Sequence, residues 1–154
     1  MSEQNQQAGD QQSQFLIQKF YVKDISFETP NSPKIFSQKG EASMHIDVGT
    51  TATPLENNSH EVTLALTVTV KVGETAAYLV EVKQSGIFTI KGYDNETLSA
   101  MLSSFCPNML FPYAREVVSD LVTKGGFPQL VLAPINFDAL YAEEKQKAAG
   151  ATKQ

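Results

Sequence analysis

The spacing of apolar and polar positions changes halfway along the chain. In "HEVTLALTVTVKVGE" every even position from Val62 to Val72 is apolar, while the odd positions include Glu61, Thr63, Thr67, Thr69 and Lys71. A period of two with one wet face predicts a half-buried antiparallel strand. "MHIDV" repeats the pattern with Met44, Ile46 and Val48. "FLIQKFYVKDISFE" gives a further strand, ending at the turn cluster "TPNSP". "AAYLVEVKQSGIFTI" supplies the fourth, where Gly86 predicts a bulge or bend.

The second half moves to a helical period. "DNETLSAMLSSF", with Asp94 or Asn95 as N-cap, predicts a short helix that Cys106-Pro107 stops. "NMLFPYAREVVSDLVTKGG" sets Leu110, Ala114, Val117, Val118, Leu121 and Val122 on one stripe, with Pro112 confining the regular helix or kinking its first turn. Asp120 and Lys124 form an i,i+4 pair, and Gly125 or Gly126 closes the helix. Beyond "GGFPQLVLAPINFDALY", which Pro128 and Pro134 keep out of regular structure, Asn136 caps a last helix with Phe137, Leu140 and Tyr141. Strands first and helices afterwards define an α+β fold: a four-stranded antiparallel sheet with helices packed on one face.

Composition adds limits. The chain has 154 residues, 42% hydrophobic and 19% charged, enough for one ordinary domain. Residues 1–14 are Gln-rich and predict a flexible polar tail, residues 15–141 the folded domain, and residues 142–154 a helical stretch that frays after Gly150. A net charge of -5 disfavours nucleic acid and anionic membrane, and favours a basic protein surface as partner. The start has no secretory pattern and no apolar run reaches the roughly 20 residues of a bilayer span, so a cytoplasmic protein without membrane insertion is expected. The lone Cys106 agrees with a reducing compartment.

Candidate chemistry is sparse. His45 and His60 have no partner at a metal-ligand spacing, and Cys106 reads as a small buried hydrophobe. Gly125-Gly126 follows a helix, so it is a cap and not a phosphate loop. No enzyme, metal or cofactor is expected. Carboxylates say more: alternation puts Asp24, Ser26 and Glu28 on one face, the two acids roughly 13 Å apart. In "YLVEVKQ", Leu79, Glu81 and Lys83 share one face, while Tyr78, Val80, Val82 and Gln84 share the other. Each wet face is either ordinary strand surface or a flat acidic docking surface. The apolar surplus of Phe111, Phe127, Phe137 and "LVLAP" is either core, a subunit interface or an exposed groove. A binding groove and a subunit interface both remain open on these grounds.

The segments "YVKDISFETPNSP", "AAYLVEVKQSGIFTI" and "CPNMLFPYAREVVSDLVTKGGFPQLVLAPINFDALY" resemble, in order, the SecB family of protein-export chaperones of Gram-negative bacteria. The resemblance runs from about Phe15 to Tyr141. It implies a homotetramer, a dimer of dimers, without enzymatic activity or nucleotide, which holds unfolded preproteins in the cytoplasm and hands them to the motor SecA. By resemblance, SecA is met by Asp24, Glu28, Leu79 and Glu81, while Val80, Val82 and Gln84 match positions that affect assembly. Phe127, Leu130, Leu132, Phe137 and Leu140 would wall the preprotein groove, with Ile35 and Phe36 as further candidates. Family members carry a tryptophan after "KIFSQK"; here Gly40 stands in that neighbourhood.

Overall fold

The computed structural model describes residues 13–152. Most of the tail expected over residues 1–14 lies outside them, although Gln14 already belongs to the first strand. Four strands, β1 (Gln14–Glu28), β2 (Ala42–Pro54), β3 (Ser59–Val72) and β4 (Thr75–Lys91), form one antiparallel sheet in the order β1-β4-β3-β2. The strands β2, β3 and β4 follow one another as hairpins, the second turning at Gly73, whose φ of 62° suits glycine. From Glu28 the chain must cross the whole sheet to reach β2. It does so past the β3–β4 turn, where Asn31 Nδ2 donates to the Ala76 carbonyl at 2.9 Å and Gln38 Nε2 to the Val72 carbonyl at 3.2 Å.

All helices pack on one side of the sheet. Val62, Leu64, Leu66 and Val68 of β3 are sealed beneath them, beside Val80, Val82, Gln84 and Phe88 of β4. Gly86 lies in an unbroken register opposite Val62 and Phe20, so the expected bulge is absent there; the β1–β4 irregularities fall at Ile17/Lys19 and Val22/Asp24. Glycine is required for space. A Cβ at Gly86 would come within 2.9 Å of both the Phe20 and Phe88 rings.

A short helix stopped at Cys106-Pro107 and a separate second helix were expected where the chain forms one continuous helical run. Helix α1 (Asn95–Ala100) passes through a π-helical turn (Met101–Phe105) into α2 (Cys106–Lys124). Pro107 does not end it, because the widened π turn just before it relaxes the regular pitch that would set the proline ring against the preceding turn. Pro112 is also accommodated inside α2. The caps follow the sequence: Thr97 N–H donates to Asp94 Oδ1 at 2.7 Å, and Ala139 N–H to Asn136 Oδ1 at 3.0 Å at the start of α3 (Phe137–Thr152). Lys124 Nζ lies 2.6 Å from Asp120 Oδ2.

The end of α2 aims a side chain. Gly126 N–H donates to Thr123 O and Phe127 N–H to Val122 O, with Gly126 at φ 89°. This is a Schellman ending, and only glycine adopts that backbone freely. It throws Phe127 back over the sheet, where it meets Tyr78 at a ring distance of 4.8 Å.

Candidate functional site

Two surfaces stand out, on opposite faces of the same end of the sheet. On the helix side, the apolar stripe of β3 runs further than the helices cover it. Val62 to Val68 are buried, but Val70 and Val72 floor an open hollow of about 800 Å³. Its walls are Ile35 and Phe36 of the crossing segment, Met44 at the edge strand, Tyr78 of β4, and Phe127 and Leu130 after α2. The rings touch in series: Phe36 to Phe127 at 5.2 Å, Phe127 to Tyr78 at 4.8 Å, Tyr78 to Phe27 at 6.1 Å. Such contacts stiffen a wall without sealing it. Phe36 remains 53% exposed.

This hollow gathers Ile35, Phe36, Phe127 and Leu130, but not the other residues expected with them. Leu132 and Phe137 are only 2% and 3% exposed and belong to the core, Phe137 against Phe111 at a ring distance of 6.2 Å. Phe137 packs the start of α3 against α2. Leu140, 37% exposed, borders a separate hollow of about 120 Å³ with Val48 and Tyr141. Met44, Val70, Val72 and Tyr78 replace them as lining. The signal for the two valines was present, since the β3 alternation continues beyond the length that a helix ending at Lys124 can cover.

The outer face carries the acids. Register fixes them as a grid: Glu28, Leu79, Thr69 and His45 form one row across the sheet, Ser26, Glu81, Thr67 and Asp47 the next, and Asp24, Lys83, Ala65 and Gly49 the third. Adjacent strands lie about 4.8 Å apart, so Asp24, Glu28, Leu79 and Glu81 form one patch. Asp47 extends it, two strands from Glu81, and was missed because the strand order is not legible from spacing. Lys83 is the one cation within these three rows, histidine apart, and sits directly opposite Asp24.

Beside this grid, Lys23 Nζ is 2.8 Å from Glu61 Oε1, and the Tyr21 hydroxyl donates to the other Glu61 oxygen. The hydrogen bond from Lys23, then that from Tyr21, holds the Glu61 carboxyl below its ordinary range. Burial, then the hydrogen bond to Glu61, pushes Tyr21 up to about 12. Beneath them the Thr63 and Ser85 hydroxyls share a hydrogen bond of 2.7 Å. The outer face is thus polar but ordered.

Val80, Val82 and Gln84 are buried on the inner face, under α2, and offer no surface to a second subunit. Alternation put them opposite the acids correctly, but that side is covered by the chain itself. Gln84 Oε1 has no hydrogen-bond partner. Cys106 is also sealed, and burial pushes its thiol up to about 12. Among the described residues no helix is long and apolar enough to cross a membrane.

An antiparallel sheet with helices on one face, an open ring-walled hollow and an ordered acidic reverse face define a binding protein. The family described as "Preprotein translocase subunit SecB" matches residues 8–148, and the chain belongs to the SecB family. It is 56% identical to the protein-export protein SecB of Nitrosococcus oceani, over 97% of this chain and 94% of that one. The SecB of Methylococcus capsulatus is 55% identical, over 96% of this chain and 94% of its own length. A SecB-like chaperone of Mycobacterium tuberculosis, solved with a ChAD peptide from an antitoxin, shares the fold at a TM-score of 0.62 and 18% identity, covering 82% of this chain and 92% of that one.

Proposed function

We propose that the protein is a cytoplasmic chaperone that binds unfolded precursor chains in the hollow, keeps them fit for export and delivers them to SecA through the acidic sheet face. One observation carries this reading: Val70, Val72, Phe36, Phe127 and Tyr78 leave a connected apolar surface open beside a finished core. Apolar burial is non-directional and scales with area, so one such surface accepts many sequences. The protein needs no reaction of its own for this, and no cofactor. Asp24, Glu28, Leu79 and Glu81, with Asp47 beside them, suit a basic docking partner.

The same reading has the chain working as a homotetramer, a dimer of dimers. Strand β1 supports assembly: it is an edge of the sheet, and Leu16, Ile17, Val22 and Ile25 on it are exposed. An uncovered apolar edge strand of this length invites pairing with another copy. Native mass should be that of four chains. The central test is refolding of a slowly folding precursor: near-stoichiometric protein should delay it, and refolding at an unchanged rate would defeat the proposal.

A further inference from the structure

Tyr78 brings one of the few polar groups to the lining of the apolar hollow, with Ser43 and Gln129 the others. Its ring is fixed by Phe127 on one side and Phe27 on the other, and the residue is only 5% exposed. The hydroxyls of Tyr21 and Tyr141 donate to Glu61 and Ser99. The Tyr78 hydroxyl donates to no group among the described residues. It is not shut away either, because among those residues the only buried side-chain polar atoms without a partner are His60 Nδ1 and Gln84 Oε1. It keeps access to solvent, and the residue lines the hollow. Burial raises its pKa, so it stays protonated and can donate at neutral pH. Tyrosine hydroxyls in such surroundings ordinarily find a partner.

We propose that the Tyr78 hydroxyl donates a hydrogen bond to a backbone carbonyl of the unfolded chain lying in the hollow. This rests on the chaperone reading above and sharpens it. Every residue of every client offers a carbonyl, so the bond costs no sequence tolerance. A carbonyl already committed to a helix or sheet ladder is a poorer acceptor for it. The hollow thus distinguishes a chain with free backbone from a merely greasy surface, which apolar contact alone does not do. Tyr78 is in this sense a specificity-determining residue.

The test is Tyr78→Phe in the full chain, which keeps the ring and removes only the oxygen. The probes are a fluorescein-labelled apolar nonapeptide, the same peptide with backbone amides replaced by esters, and the dye ANS. A net hydrogen bond predicts roughly three- to tenfold weaker binding of the amide peptide. The ester peptide, with weaker acceptors, should lose less; dye affinity and the thermal midpoint should not change. Equal or tighter amide-peptide binding by the variant overturns the proposal, and so does a lowered thermal midpoint, which would reveal a partner within the free protein. If the wild-type protein binds no peptide, the chaperone reading itself fails.

Discussion

Tyr78 and Leu79 are neighbours in β4, yet they belong to surfaces that work by different physics. Tyr78 lines the hollow, where the surface is largely apolar. Leu79 faces the opposite way, in a row with Glu28 and next to Glu81, where the surface is acidic. Phe27 and Glu28 repeat the division on β1, since Phe27 packs on Tyr78 while Glu28 pairs with Leu79. The strand alternation alone separates two sites by the thickness of one backbone. On the proposed reading, a client and a docking partner use the same end of the sheet without competing for a side chain.

The sharpest way to break this division is to exchange one residue on each face of β3. Leu66→Ala empties a fully sealed position and should cost about 2–5 kcal/mol by urea titration. Thr67→Ala, on the outer face, should stay within about 0.5 kcal/mol. Equal losses would mean that the outer face is covered. Next, Phe36→Ala with Phe127→Ala removes two rings of the wall and should weaken unfolded-client binding roughly 30-fold, with SecA binding unchanged.

The reverse experiment is Asp24→Lys with Glu81→Lys. SecA affinity should fall about tenfold, the wild-type interaction should weaken with added salt, and client binding should barely move. Loss of both activities together would erase the distinction between the faces. The smallest effect concerns the sealed layer between them. An unfolded Cys106 thiol ionises from about pH 8.5, whereas burial keeps the folded thiol protonated up to about 12. The folded state then binds the extra proton, so stability is lost as pH rises through that window, by about 1 kcal/mol at pH 9.5. The difference in urea midpoint between pH 7.5 and 9.5 should shrink in Cys106→Ala; an unchanged difference would place the thiol in water.

Much of the fold was legible because it follows from local rules. Alternation in β3 names Val62, Leu64, Leu66 and Val68 as the buried set with no knowledge of what covers them. Asp94 and Asn136 mark the helix starts, and Gly125-Gly126 marks the end of α2. The errors have local causes too. Cys106-Pro107 reads as a stop only if the helix keeps its regular pitch, and the π turn over Met101–Phe105 relaxes that condition. Gly86 reads as a bulge when its neighbours are unknown, and as clearance for Phe20 and Phe88 when they are known.

The sequence by itself determined the elements, the two-faced strands and the family, since each depends on spacing and on motifs a few residues long. The tertiary structure decided which apolar residues stay reachable. Phe127 and Leu130 line the hollow while Leu132 and Phe137 vanish into the core, although all four lie in one proline-punctuated stretch. Exposure depends on what a distant segment covers. Helix α2 leaves Val70 only partly covered, and the chain after it divides between the hollow and the core; no spacing within the stretch itself records either fact.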